Sequence, residues 1–315
     1  MKRIFELTTK DIETLSKKEL KEIISLSEGR TVVSETIISY TPYIREVSNV
    51  ELAASFGADM ITLNTFNFNA PFIWGIHPEI DALQNIGTLA KKIEAQIEAN
   101  LADKDYIRKV RQLVGRLIGV NLEPVPAGST YEPGYCLTRE NLERAKAYGF
   151  DYVVITGNPN TGITHETICE GIRLAKEVLG DDTLIIAGKM HGAGSGNLYD
   201  VACVRDFVEC GADIVLFPAP GTVPGFDLEL AKQMVSAIHE VKGLAMTTIG
   251  TSQEGSSESV IEQIALLAKM AGADLQHIGD CGTFGMALPE NIKKLSVTIR
   301  GIRHTYRRMA QSILR

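Results

Sequence analysis

The 315-residue sequence predicts an α/β protein built as a (β/α)8 barrel, or TIM barrel, with an N-terminal helical extension. Three observations support this fold. A short glycine-containing repeat leads four times from a helix into an apolar run. Four further apolar runs lie between the copies, which makes eight strands. Amphipathic helical patterns separate these strands, as a parallel barrel requires.

The repeat has the form Gly-(Ala/Phe)-Asp followed by apolar residues, which is typical of a helix C-terminal glycine before a buried strand. Its copies begin at Gly57, Gly149, Gly211 and Gly272. The last two intervals match the length of two strand-and-helix units, whereas the first interval is longer. We therefore predict a single domain over residues 1–315 with an inserted segment at about residues 67–100.

The elements follow in chain order. A helix near Lys10–Leu26 comes first. The strands outside the repeats are Thr31–Ile38, Leu117–Leu122, Thr183–Ala187 and Leu244–Ile249, and those after the repeats begin at Met60, Tyr152, Ile214 and Leu275. The helices are Asn49–Phe56, a long stretch within Ile86–Leu113, Arg139–Tyr148, His165–Leu179, Leu198–Glu209, Leu228–Val241, Glu258–Ala271 and Pro289–Ile313.

A doubly wound open sheet is the alternative fold. It would place a glycine-rich phosphate turn after the first strand and an acidic residue about 20 residues later. The only comparable run is Gly192-Ala-Gly194-Ser-Gly196, which follows the fifth predicted strand. The barrel is therefore favoured. Walker A, HExxH and GxSxG motifs are absent from the sequence.

Composition narrows the expected partners and compartment. The 32 Lys and Arg against 39 Asp and Glu give a formal net charge of −7, so neither nucleic acid nor an anionic membrane surface is an expected partner. No stretch approaches the roughly 20 apolar residues of a membrane span, and the first residues lack a signal-peptide core. The five cysteines show no CxxC spacing, so a disulfide framework and structural zinc are not expected. We expect a soluble cytoplasmic protein.

Polar residues collect at the carboxyl ends of the predicted strands, where barrels place their catalytic groups. The candidate catalytic residues are Lys189, His191, Glu35 and Glu123. The candidate substrate-binding residues are Asn64, Asn121, Asn158, Gln276, His277 and Asp280. Any one of them could simply be a strand-end hydrogen bonder, but their concentration at one barrel face predicts a site.

Lys189 is the sharpest catalytic candidate. We expect its ammonium group in the barrel mouth, where desolvation lowers the pKa and allows a Schiff base; a fixed charge for a carboxylate or phosphate is equally open. His191 could move protons with Glu35 or Glu123. Alternatively, these three residues and Asp280 could hold a divalent metal, although no close-spaced ligand motif exists. The leading interpretation requires no cofactor.

The loops after strands seven and eight suit a phosphate, since they combine glycines, hydroxyl groups and free backbone amides. The candidate phosphate-binding residues are Gly250, Thr251, Ser252, Gly255, Gly282 and Thr283. Neither loop contains an arginine, and Glu254 and Asp280 would oppose an anion beside them. A phosphorylated small molecule is the expected ligand; alternatively, the glycines only turn strand into helix.

Two segments suggest contacts beyond the barrel. The loops at residues 67–78 and 124–135 combine aromatic residues with Pro and Gly, as ligand-covering loops often do, and Trp74 there favours a lid or an interface. The last predicted helix is long enough to project past the barrel, which would expose Met309, Ile313 and Leu314. A second subunit would cover them, so we expect a homo-oligomer.

The element order and the last two glycine-containing loops resemble the phosphate-binding (β/α)8 superfamily, which includes indole-glycerol-phosphate synthase, tryptophan synthase α and small keto-acid phosphate aldolases. The stretches 28–35, 56–64 and 119–125 are more closely similar to a bacterial barrel family often encoded beside phosphotransferase sugar-uptake systems. Its members are sometimes labelled haloacid-dehalogenase-like hydrolases, whose Asp-x-Asp-x-(Thr/Val) motif is absent here. This resemblance implies a link to sugar catabolism but no catalytic residues.

The predicted function is an enzyme that acts on a small phosphorylated metabolite, a sugar phosphate above all, by carbon–carbon lysis or isomerisation. Two alternatives stay open. One is metal-assisted hydrolysis of a phosphorylated substrate, and the other is a non-catalytic metabolite sensor of a sugar-uptake system.

Overall fold

The computed structural model describes residues 1–158, 161–191 and 200–315, and it contains the predicted (β/α)8 barrel. Eight parallel strands close in sequence order, with the last paired to the first. They are Thr31–Ile37 (β1), Met60–Asn64 (β2), Leu117–Leu122 (β3), Tyr152–Ile155 (β4), Leu184–Gly188 (β5), Ile214–Pro218 (β6), Leu244–Ile249 (β7) and Leu275–Ile278 (β8). The Gly192–Gly196 run and the start of the predicted helix Leu198–Glu209 lie outside the described residues.

The helices of the described ranges surround the barrel. They are Thr9–Thr14 (α1), Lys17–Leu26 (α2), Asn49–Ser55 (α3), Ile86–Ala102 (α4), Tyr106–Val114 (α5), Arg139–Tyr148 (α6), His165–Leu179 (α7), Val201–Cys210 (α8), Leu228–Glu240 (α9), Glu258–Ala271 (α10) and Pro289–Met309 (α11). Short 3₁₀ turns at Gln253–Gly255 and Gly282–Phe284 follow β7 and β8. Across the described residues, no helix combines the length and apolar character that a membrane crossing requires.

The N-terminal extension is two helices rather than the single predicted one. Ser16 interrupts the helical path and caps α2, because its hydroxyl accepts the backbone N–H of Glu19 while the Glu19 carboxylate accepts the N–H of Ser16. The segment then packs Ile4, Phe5 and Ile24 against the inward-facing side chains of the strands. The extension therefore covers the amino end of the barrel, opposite the carboxyl ends of the strands.

The aspartate of the sequence repeat joins neighbouring strands at the amino end of the barrel. In each copy its carboxylate accepts the backbone N–H of a residue on the preceding strand, at 2.8 to 3.0 Å. The pairs are Asp59 with Val32, Asp151 with Ile118, Asp213 with Ile185 and Asp274 with Ala245. Each carboxylate also faces a basic side chain, namely Arg300, Arg111, Lys17 and His239 in that order. The aspartate of the repeat therefore links a strand to the preceding strand in the same way at four positions around the barrel.

The last helix is broken at Gly301, whose φ of 76° and ψ of 166° are not helical. The prediction of one continuous helix over Pro289–Ile313 is therefore wrong, since the helix also ends at Met309. After the break, Arg308 is buried and donates a hydrogen bond to the carbonyl of Leu7 at 2.9 Å. The final residues still expose apolar surface, with Leu314 84% exposed.

Candidate active site

A cavity of about 420 Å³ opens at the carboxyl end of the barrel, and it is lined by residues of β1, β2 and β3 and of the loops that follow β3, β4, β5, β7 and β8. The predicted site residues in this lining are Glu35, Asn64, Asn121, Glu123, Asn158, His191, Gly250, Thr251, Ser252, Asp280, Gly282 and Thr283. Four carboxyl groups line it, those of Glu35, Glu123, Glu254 and Asp280, and no lysine or arginine is among its described lining residues. The cavity is therefore polar and acidic.

Glu35 forms the centre of the first side-chain cluster. It faces inward because it lies two residues after Val33, which packs in the barrel interior. The side-chain amide of Asn121 donates a short hydrogen bond to Oε1, and His277 Nε2 lies 3.3 Å from Oε2. The Glu35 and His277 side chains are both 4% exposed. A carboxylate held in one orientation and paired with an imidazole is suited to proton transfer.

Asp280 forms a second cluster with Asn64. Its carboxyl group accepts the Asn64 side-chain amide at 2.7 Å and the backbone N–H of Gly282 at 2.8 Å. Burial, and then the charge of Glu35, raises the pKa of Asp280 to about 6, although the two hydrogen bonds act in the opposite direction. Asp280 is therefore a carboxyl group that changes protonation state just below neutral pH.

Glu254 also lines the cavity, and it is a candidate that sequence reasoning did not select, since it entered there only as an obstacle to an anion. It lies on the 3₁₀ turn after β7 and is 4% exposed. Burial, assisted by the charges of Asp280 and Glu35, raises the pKa of Glu254 to about 7. Gly279 makes room for it, because a Cβ there would lie 2.8 Å from Glu254 Oε1. One sequence feature could have selected Glu254. It is the single acidic residue in the loop of small residues that follows β7.

The Glu254→Gln variant tests this raised pKa through the stability of the fold. Because the folded chain holds this proton more tightly than the unfolded chain does, the carboxyl group stabilises the fold at low pH. That contribution is lost as the pH rises from about 4.5 through about 7. We expect the variant to exceed the wild type in free energy of unfolding by about 2–3 kcal/mol at pH 8 and by much less at pH 5. Urea unfolding at both pH values measures this; a less stable variant at both would contradict it.

Glu123 anchors two loops as well as lining the cavity. Its carboxylate accepts the Tyr131 hydroxyl at 2.5 Å, the backbone N–H of Asn158 at 3.1 Å and the Asn158 side-chain amide. Tyr131 belongs to the loop after β3, and Asn158 to the loop after β4. Both carboxylate oxygens are engaged, so Glu123 holds these loops at the mouth.

Lys189 does not line the cavity, in contrast to the expectation for its ammonium group. The strand β5 ends at Gly188, whose φ of 144° departs from the strand conformation, and beyond it Met190 and His191 are in the lining whereas Lys189 is not. Its side chain is buried, and burial lowers its pKa while the charge of Glu123 opposes this. His191 does line the cavity, and burial followed by the charge of Lys189 lowers the pKa of its imidazole.

Three further candidates are not in the lining, namely Gln276, Gly255 and His277, the last of which is buried against Glu35. Gln276 faces the opposite side of β8 from His277 and accepts the Thr247 hydroxyl at 3.1 Å. Gly255 is not in the lining, and a Cβ there would lie 2.9 Å from the sulfur of Cys281. The strand alternation explains Gln276, since two neighbouring residues on a strand cannot both face inward.

The four lining carboxyl groups are not gathered around one point. Among the residues that the structure describes, no group of three or more His, Cys, Asp or Glu side chains is arranged as a metal site. Amides and an imidazole instead contact three of these carboxyl groups, those of Glu35, Glu123 and Asp280.

The family described as "Domain of unknown function (DUF7916)" matches residues 5–315. No curated protein matches the chain. The carboxyl transferase domain of Rhizobium etli pyruvate carboxylase is similar in structure, with a TM-score of 0.53 and 12% identity over 96% of this chain and 51% of that chain. The complete multifunctional pyruvate carboxylase from Rhizobium etli gives a TM-score of 0.52 and 12% identity over 95% of this chain and 30% of that chain.

The chain thus spans about half or less of the length of these two structural relatives. At such low identity, the likeness shows the barrel fold alone.

Proposed function

The chain belongs to the DUF7916 family, and from its site we propose that it is an acid–base enzyme of the lyase or isomerase type, acting on a small hydroxylated carbonyl compound. One observation carries this proposal. The Glu35 carboxylate, oriented by Asn121 and His277, shares a cavity with Glu254, a carboxyl group that keeps its proton up to about pH 7. One group can accept a proton near neutral pH while the other donates one.

In the proposed reaction, Glu35 removes a proton from the substrate and Glu254 supplies one to the carbonyl oxygen, where negative charge develops. If the proton comes from the carbon beside the carbonyl group, an enediol forms and isomerisation follows. If it comes from a hydroxyl group one carbon further away, the carbon–carbon bond breaks and its electrons form the enol. The His277 imidazole beside Glu35 keeps the base oriented in both cases.

The charge of the lining favours a substrate with several hydroxyl groups. Hydroxyl groups donate hydrogen bonds to carboxylates such as Glu123 and Asp280, whereas a substrate anion would meet repulsion. No lysine or arginine offsets this repulsion in the described lining. The volume suits a small molecule.

A phosphorylated sugar is the second candidate, because Gly250, Ser252 and Thr283 of the two predicted phosphate loops do line the cavity. An anion there lies beside Glu254 and Asp280, so it binds best when both are protonated. Their pKa values of about 7 and about 6 therefore predict that binding weakens by up to about tenfold per pH unit between pH 6 and pH 7, and by up to about a hundredfold per pH unit above pH 7, where both groups must take up a proton. Sulfate, which does not titrate here, is the calorimetric probe; no binding at pH 6 would count against a phosphate group.

The proposed chemistry is tested by proton exchange in D2O. A panel of hydroxyketones, ketoses and 2-keto acids, with phosphorylated counterparts, is incubated with the protein and followed by NMR. Deuterium incorporation beside the carbonyl group, or aldol cleavage, supports the proposal.

Other outcomes would favour the alternative functions. Loss of activity with a chelator would favour metal-assisted hydrolysis, and an adduct trapped by borohydride would restore Lys189 as a Schiff-base residue. Binding without exchange would favour a non-catalytic metabolite sensor.

A further inference from the structure

A second cavity, of about 550 Å³, lies outside the barrel between helices α7 and α8. Its lining includes His165 and Cys169 from α7 and Asp206 and Cys210 from α8. The acid–base chemistry proposed above uses none of these residues. The spacing within each pair is four residues, which is about one helical turn.

The geometry fixes how the two helices face each other. His165 Nε2 lies 3.0 Å from an Asp206 carboxylate oxygen, so these two positions are opposite one another. Both helices follow parallel strands of the barrel and run in the same direction. One turn further along each helix therefore places Cys169 opposite Cys210. Consistent with this, the neighbouring Cys210 thiol is, after burial, a cause of the raised pKa of Cys169.

We propose that Cys169 and Cys210 form a reversible disulfide by exchange with a small-molecule disulfide such as oxidised glutathione. The two sulfurs differ in access, because Cys169 is buried, at 5% exposure, whereas Cys210 is half-buried. Cys210 therefore reacts first. Sequence spacing could not indicate this pair, since the two residues are far apart in the chain and share no CxxC motif.

The exchange has two balanced steps. The Cys210 thiolate attacks one sulfur of oxidised glutathione, which forms a mixed disulfide and releases one glutathione thiolate. Cys169 then loses its proton to solvent and attacks the Cys210 sulfur, which releases the second glutathione. The protein loses two hydrogens in total, and one oxidised glutathione becomes two reduced ones. The product links α7 covalently to α8.

Mass spectrometry after incubation of the intact chain with oxidised glutathione tests this proposal. We expect a mass loss of about 2 Da and a peptide that joins Cys169 to Cys210, reversed by a dithiol reductant. The Cys169→Ser variant should keep one glutathione on Cys210, because the resolving thiol is absent. The Cys210→Ser variant should leave Cys169 unmodified, because that thiol is buried.

The matched control is Cys203→Ser, since Cys203 also lies on α8 but does not line the cavity. This variant should form the disulfide at the wild-type rate. A link between Cys203 and Cys210, or a stable glutathione adduct on the wild-type Cys210, would overturn the proposal.

Discussion

Replacing Glu35 by glutamine is expected to lower the rate of the proposed proton transfer by about 10³-fold, with little change in substrate binding. Glutamine has the shape of glutamate, and its carbonyl oxygen can still accept the Asn121 amide. It cannot take up a proton near neutral pH, so the base is lost while the cavity is preserved. The deuterium exchange rate at saturating substrate measures the effect, and a binding titration measures the affinity separately.

Glu123→Gln is the matched control for this experiment. Both residues are buried carboxylates in the same lining, but Glu123 is held by Tyr131 and Asn158 rather than by an imidazole. We expect its rate to stay within about tenfold of the wild type. If Glu123→Gln abolished exchange while Glu35→Gln retained it, the assignment of the base to Glu35 would be wrong.

The barrel could be predicted because its signals are local and recur. Each glycine of the repeat ends a helix and each aspartate begins a strand pair, so four copies determine most of the element order. The break at Gly301 could not be predicted in the same way. An isolated glycine is tolerated in many helices, and here the burial of Arg308 against distant residues accompanies a non-helical conformation at Gly301.

The candidate site was predictable to the level of strand ends but not of individual side chains. Placing Glu35 and Asp280 near one another required only the closure of the barrel. Deciding between Gln276 and His277 required the facing of β8, and a shift of one residue reverses it. Deciding between Lys189 and Met190 required the path of the chain beyond Gly188, where β5 has ended. The role of Glu254 depends on its burial beside Gly279, which no spacing in the sequence reveals.

Asp59 holds the most buried charge cluster among the described residues. Its carboxylate lies 2.5 Å from an Arg300 nitrogen and 2.9 Å from Arg308 Nε, and all three side chains are fully buried. The Arg308 nitrogen is not aligned for a hydrogen bond, so that contact is electrostatic. Arg116 is buried nearby, and burial followed by the charge of Arg308 lowers its pKa. The single negative charge of Asp59 therefore partly balances the positive charges of Arg300, Arg308 and Arg116.

The Asp59→Asn variant is therefore expected to lose about 3–5 kcal/mol of unfolding free energy, because it leaves buried guanidinium groups without their counter-charge. Urea unfolding followed by circular dichroism measures this loss. Asp274→Asn is the control, since Asp274 makes the same strand-pairing bond, whereas its partner His239 is 43% exposed. It should lose under about 1 kcal/mol. Equal losses would show that the strand-pairing hydrogen bond, common to all four repeat aspartates, and not the arginine cluster, carries the stabilisation.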